Sequence, residues 1–312
     1  MTEGAKQKVL VVCPNPSIDI LAHLAEFKIG VPNRIQSEKR YPGGKGLHVA
    51  MALAELDIDV TVIGFWGGAT GQWIQEEANK YYPKIEFIGP VIEELSRSCY
   101  TFKSDALLND TELLGTGPVI SQDQYQDFVQ IFSKSLHSYT IMALCGSWPK
   151  GVPDNAYQQL IALSNQTSTK SFLDCTGEQL KNAIQENPFC IHLNKKELKD
   201  FFETDNFEDS TEKIIQVSQY AAITDGSKGL YFHQGNQVVH TLSTIKKVLS
   251  TIGSGDCLLA GIIYGFIKNF SFEKIAKTGA ACGAANCMRE DLGMLHKTDV
   301  FDLLENQTET FH

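Results

Sequence analysis

At 312 residues, with 43% hydrophobic and 21% charged side chains, the chain can bury a large α/β core and has the composition of a folded globular protein. Its net charge of −10 argues against nucleic acid and anionic membrane as partners, and requires that a phosphorylated ligand be held by local Lys or Arg. No apolar stretch reaches membrane-span length, residues 1–12 carry no signal pattern, and the eight cysteines form no C-x-x-C pair, so a cytoplasmic protein without a structural zinc or redox pair is expected.

Residues 8–13 (KVLVVC) form an apolar run suited to a strand buried on both faces. Pro14 and Pro16 forbid a helix after it, so Asn15 and Asp19 are expected at the strand's end, where open parallel sheets bind ligands. A plain polar turn fits the same residues. The irregular segment 20–41, with Arg34, predicts one or two short strands outside the main sheet. Gly43, Gly44, Lys45 and Gly46 then open a helical pattern through residue 56. The loop lacks the glycine spacing of a Walker A or dinucleotide motif, yet it can bring backbone close to a sugar and place Lys45 on a phosphate.

Strands are predicted over 59–65 and 85–92, with a helix over 72–82 between them. Residues 98–104 alternate in polarity behind Arg97, which makes 20–41 and 97–116 candidates for a small accessory sheet inserted twice. From 122 onward the rhythm is regular. Helices are expected over 125–138, 155–165, 178–186, 196–202 and 210–219, and strands over 140–144, 171–174, 189–193 and 220–224. This alternation predicts a mostly parallel sheet with helices on both faces. An edge hairpin follows over 229–234 and 237–242, and an Ala- and Gly-rich helix over 272–289 can pack closely on a neighbouring helix or a flat ligand. No repeat, low-complexity tract or linker interrupts residues 1–312, so one domain is expected.

The stretch 250–256 (STIGSGD) leads into the buried helical run 257–268. A small-residue loop at a helix start leaves backbone N–H groups without partners, and these with the helix dipole favour an anion. Asp256 stands in the first turn beside that anion, an arrangement suited to phosphoryl transfer. An ordinary turn with Asp256 as N-cap would read the same in isolation.

Taken together, TIGSGDCLLAG, GGKGLHVAMALAEL, CGSWPKGV, NKKE and TDGSKG occur in the order and spacing of the PfkB branch of ribokinase-like sugar kinases. The chain resembles that family from Asn15 to Asn286. Lys45 within GGKG and the phrase CPNPSID resemble the subgroup acting on phosphorylated ketohexoses, the tagatose-6-phosphate kinases and 1-phosphofructokinases.

The resemblance implies a three-layer α/β/α fold with a β lid shared across a homodimer, and use of ATP with Mg²⁺ on a sugar phosphate. Asp256 would be the base on the acceptor hydroxyl, and the amides of Gly253, Ser254 and Gly255 an anion hole. Asp19, Gly44 and Lys45 would hold the sugar, with Asn15, His48 and Ser147 close by. Arg34 and Arg97 would meet the sugar's phosphate; Lys103 could do so or be a solvated strand residue. Asn194 and Glu197 would organise Mg²⁺ through water, although a carboxylate in a helix's first turn also reads as a capping residue. Thr224, Gly226, Ser227 and Gly229 would line the nucleotide, with Asn286 near adenine or ribose.

The chain departs from the subgroup's pattern in three places. His48 replaces an amide beside the sugar. Ser250 and Thr251 replace an acidic or amide residue. His192 and Leu193 replace Lys-Pro, with His192 read as a strand-end residue rather than a ligand. A kinase of an unphosphorylated sugar or nucleoside, or a silent nucleotide or sugar-phosphate sensor, are the alternatives.

Overall fold

The structure is a computed structural model that describes residues 8–104 and 111–306; residues 105–110 of the second expected insertion lie outside the described residues. β1 (Lys8–Val12) leads into the turn at Pro14 and Pro16. β2 (Ser17–Leu24), β3 (Ser37–Gly43) and α1 (Lys45–Glu55) follow. Next come β4 (Asp59–Ile63), β5 (Trp66–Gly67), α2 (Gly68–Tyr81), β6 (Glu86–Ile88) and β7 (Val91–Ile92). β8 (Arg97–Ser104) and β9 (Thr111–Leu114) close the first half.

The second half alternates as expected. Its elements are α3 (Gln122–Leu136), β10 (Ile141–Cys145), α4 (Ala156–Asn165), β11 (Lys170–Asp174), α5 (Gly177–Ala183) and β12 (Cys190–Asn194). α6 (Lys195–Phe202), α7 (Phe207–Ile214), β13 (Tyr220–Thr224), β14 (Leu230–Gln234) and β15 (Gln237–Thr241) come after them. α8 (Ser254–Ile267), α9 (Phe272–Cys287) and α10 (Lys297–Glu305) complete the described chain.

The main sheet runs β15-β14-β13-β12-β11-β10-β1-β4-β6, parallel except where β14 pairs antiparallel with both neighbours. β1 carries the chain outward to β4 and β6 on one side; β10 then starts a second run on its other side. The strand order thus reverses between β1 and β10, and the carboxyl ends flanking that reversal form the crevice where open α/β sheets take ligands. A separate four-stranded sheet, β3-β2-β8-β9, comes from the two insertions.

Strands apolar on both faces need helices on both. Val9 and Val11 join one core cluster with residues of α1, α8 and α9, while Leu10 and Val12 join the other with residues of α3, α4 and α5. The small residues of α9 serve contact with α8: a Cβ on Gly261 would stand 2.7 Å from Sγ of Cys282, and one on Gly279 2.8 Å from Cγ1 of Ile262. Among the described residues no helix is long and apolar enough to cross a membrane.

Four expectations change. Asp19 lies on β2 rather than in a strand-end loop, because the chain enters the small sheet at Ser17, immediately after the prolines. The single strand expected over 85–92 is two, in different sheets, broken at Gly89 (φ 120) and Pro90. α7 starts earlier than expected, at Phe207, where the Asn206 side chain accepts from the N–H of Asp209 and caps it. α10 was not anticipated; its apolar residues are too few to stand out, and it packs on α9.

Candidate active site

Both glycine loops become helix starts. Gly44 (φ 103) caps α1 and Gly253 (φ 82) caps α8, each in a conformation that disfavours a side chain. A Cβ on Gly46 would stand 2.6 Å from Cβ of Cys13, so the start of α1 presses on the end of β1. α1 and α8 pack together, which brings the two loops side by side at the crevice.

The N–H of Ser254 donates to the Thr251 carbonyl (3.2 Å), so one of the three amides expected in the anion hole is tied into the turn. Those of Gly253 and Gly255 have no backbone partner among the described residues. Asp256 is buried in the first turn of α8. Ser250, also buried, accepts from the Ile252 N–H at 3.3 Å and shapes the loop's approach.

On one side of Asp256 lies His48, 4% exposed. Its Nδ1 is 2.9 Å from Oδ2 of Asp256, and its Nε2 approaches Oδ2 of Asp19 at 3.1 Å, off the line of an aligned hydrogen bond. Ser17 donates to the other Asp19 oxygen at 2.6 Å. Burial opposes charge here, but His48, Ser17 and the nearby Arg97 outweigh it and hold the Asp19 carboxyl below its ordinary range. His48 is likewise opposed by burial, yet Asp19 and Asp256 raise it to about 10.

On the other side, Asp174 ends β11 fully buried. Lys45 Nζ is 2.6 Å from its Oδ1 and His192 Nδ1 2.8 Å from its Oδ2. These partners overcome burial and keep Asp174 well below the usual carboxylate range. Lys45 is held well above its ordinary value against burial, by Asp174, Asp256 and Glu197. His192 is not a bystander at a strand end: it is buried, and a Cβ on Gly255 would stand 2.9 Å from its Cε1. Sequence reading assigned Asp174 no role. Its signal in the sequence is a lone carboxylate closing an apolar strand.

The remaining candidates are placed unevenly. Asn15 is buried, donates to the Thr116 carbonyl at 3.4 Å, and keeps an unpartnered Oδ1. Arg97 half-buried, donates to the carbonyls of Asn15 (3.1 Å) and Gly115 (3.2 Å), fastening the small sheet to the loop after β1. Lys103 reaches the Leu249 carbonyl at 2.5 Å and is therefore not simply solvated. Arg34 is exposed between β2 and β3 and is not joined to this cluster. Ser147 is exposed just past β10.

Asn194 and Glu197 cap each other reciprocally at 2.8 Å, which realises the capping reading of Glu197. Thr224 ends β13, with Gly226 and Ser227 exposed beyond it and Gly229 closing the turn. Asn286 is buried and donates to the Met294 carbonyl at 2.8 Å, so its amide braces the loop before α10.

A buried carboxylate in the first turn of a helix thus lies beside free amides at the reversal point of a parallel sheet, on a ribokinase-like architecture. The chain belongs to the pfkB family of carbohydrate kinases, whose sequence model matches residues 14–296. It is 30% identical over 311 residues to tagatose-6-phosphate kinase of Staphylococcus epidermidis, covering 96% of this chain and 98% of that protein. It is 28% identical over 299 residues to 1-phosphofructokinase of Bacillus subtilis, covering 91% and 94%. Phosphofructokinase-2 of Escherichia coli, solved in complex with fructose-6-phosphate, shares the fold with a TM-score of 0.85 at 20% identity, over 96% of this chain and 98% of that one.

Proposed function

We propose that this carbohydrate kinase transfers the terminal phosphoryl group of ATP to a phosphorylated ketohexose, namely tagatose 6-phosphate, fructose 1-phosphate or fructose 6-phosphate, giving the bisphosphate and ADP. The observation that carries the reading is the buried Asp256 in the first turn of α8, linked through His48 to Asp19 at the sugar end. The names of the relatives supply the substrate class.

The residues present suit ATP with Mg²⁺. A Cβ on Gly226 would meet nothing within 4 Å, so the turn after β13 offers open space for a nucleotide. Among the described residues no group of three or more His, Cys, Asp or Glu side chains could hold a metal. Mg²⁺ keeps its waters and binds largely through phosphate oxygens. Glu197 would orient such a water with the carboxylate oxygen its cap leaves over. ATP supplies the phosphoryl group, and Mg²⁺ offsets its charge.

Asp256 accepts the proton as the acceptor O–H breaks and the new O–P bond forms. The Gly253 and Gly255 amides hold the transferred group. Lys45, braced by Asp174, faces the same anion. A loose transition state asks of the base mainly alignment, so a modest base suffices. Asn15 and Asp19 hold sugar hydroxyls. Arg97 has five N–H donors, of which two are committed to carbonyls, and the rest are left for the sugar's phosphate. The small sheet acts as a lid that excludes water as a competing acceptor. Leu113 and Leu114 on its edge strand are 54% and 66% exposed, which favours pairing with a second copy.

An unphosphorylated acceptor is the second reading, favoured by the carbonyl contacts of Arg97 and Lys103. A coupled ADP-release assay with the three ketohexose phosphates, and with ribose and adenosine as controls, separates the two. Turnover with one ketohexose phosphate, and a steep rise in its KM on Arg97→Ala, is expected. Turnover with ribose or adenosine alone would refute the proposal.

A further inference from the structure

The structure around His48 is built to fit an imidazole. The residue occupies the first turn of α1, with each ring nitrogen facing a buried carboxylate from a different element: Asp256 on α8 at 2.9 Å and Asp19 on β2 at 3.1 Å. The ring lies close against backbone at two glycines. A Cβ on Gly293 would collide with its Cδ2 and Cγ, and one on Gly253 would stand 3.5 Å from its Nδ1. The loop before α10 therefore carries glycine where the ring passes.

A neutral imidazole has one N–H, and an ionised carboxylate can only accept. Nδ1 hydrogen-bonds Asp256, while Nε2 lies 3.1 Å from Asp19 off the hydrogen-bond line and faces it as an ion-pair partner, an arrangement that suits an imidazolium with two ring protons. The Asp19 oxygen that does not face the ring already accepts from Ser17. The charged groups on this ring are Asp19 and Asp256. Arg97 from β8 acts on Asp19, and Lys45 from the same turn of α1 acts on Asp256. Gly253 and Gly293 present backbone only.

We propose that His48 is a doubly protonated strut between the sugar-side carboxylate Asp19 and the base Asp256, and that this positioning residue fixes which oxygen of Asp256 receives the acceptor's proton. Nδ1 occupies Oδ2, so the proton goes to Oδ1 as the acceptor oxygen bonds to phosphorus and the bond to the departing ADP breaks. His48 gives up no proton and takes none. An amide can donate from only one of its two ends, so it cannot hold both carboxylates in this way. The inference rests on the reading of Asp256 as base, and its test is separable from that reading.

Selective ¹⁵N-histidine labelling reads the charge state in the wild-type enzyme. Both His48 ring nitrogens should remain protonated at pH 7.5, with the resonance identified by its loss in His48→Asn. A neutral tautomer at pH 7.5 would overturn the strut. In kinetics, His48→Asn and His48→Gln should lower kcat by roughly 10²-fold, the scale of a misplaced reacting group, while KM for ATP stays put. They should also move the acid limb of the kcat profile to higher pH, because Asp19 loses the cation that holds it below its ordinary range. A merely structural histidine would leave that limb where it is. An unmoved limb with kcat within about twofold of wild type would refute the proposal. Loss of activity in Asp256→Asn with an unmoved limb in His48→Asn would reject the strut and leave the base in place.

Discussion

Replacing Asp174 by Asn keeps the shape of the side chain and removes the one charge that Lys45 and His192 share. The carboxylate is 1% exposed and lies 2.6 Å from Lys45 Nζ and 2.8 Å from His192 Nδ1. Removing one partner of a fully buried ion pair typically costs about 3–5 kcal/mol. The Lys45 side chain is 40% exposed, and water takes over part of the lost interaction. The expected loss is therefore about 2–3 kcal/mol. At ~2–3 °C per kcal/mol for a chain of this size, Tm should fall by roughly 4–9 °C.

Thermal unfolding of the ligand-free protein by circular dichroism measures this, and repeating it against pH tests the cause. A carboxyl whose folded value is depressed contributes stability above its unfolded value, near 3.9, and loses it as pH falls toward the folded value. The gap between wild type and Asp174→Asn should thus be full at pH 6 to 8 and narrow below about pH 4. A Tm within about 1 °C of wild type at pH 7 would refute the reading of Asp174 as the charged anchor of Lys45.

Gly253→Ala forces a left-handed backbone, costing about 1–2 kcal/mol, and drives a methyl group into the Cα of Gly293. Because it also displaces an amide of the anion hole, kcat should fall by roughly 10²–10³ with the fold retained; near-normal kcat would show that this amide is not used. Arg97→Ala frees the carbonyls of Asn15 and Gly115, so KM for the sugar phosphate should rise while that for ATP holds, and an equal rise in both would point to general loosening of the small sheet.

What the sequence made legible were the features carried by local pattern. The doubly apolar strands, the strand–helix alternation and the helix-start glycines each follow from residue type and spacing, and all are found. So is the small sheet, although its first strand begins at Ser17 rather than after Ile20. What local pattern could not carry were contacts between distant elements. His48 and Asp256 lie 208 positions apart, and Lys45 and Asp174 lie 129 apart. Nothing in GGKGLHVA says which nitrogen meets which carboxylate. The pattern of residues 189–193 places His192 on a strand but gives no sign that the parallel sheet sets it under Gly255. Asn286 donates from Nδ2 to the Met294 carbonyl, a contact eight residues along that no motif encodes, and its buried Oδ1 keeps no partner.

The central claim is that Asp256, at the start of α8, takes the acceptor's proton. Steady-state ADP release by Asp256→Asn with the preferred ketohexose phosphate tests it most directly, with nucleotide binding measured in parallel by calorimetry. Turnover should fall by about 10²–10⁴, the range of a lost general base, while the affinity for a non-hydrolysable ATP analogue stays within twofold of wild type. Turnover within a few-fold of wild type would contradict the account.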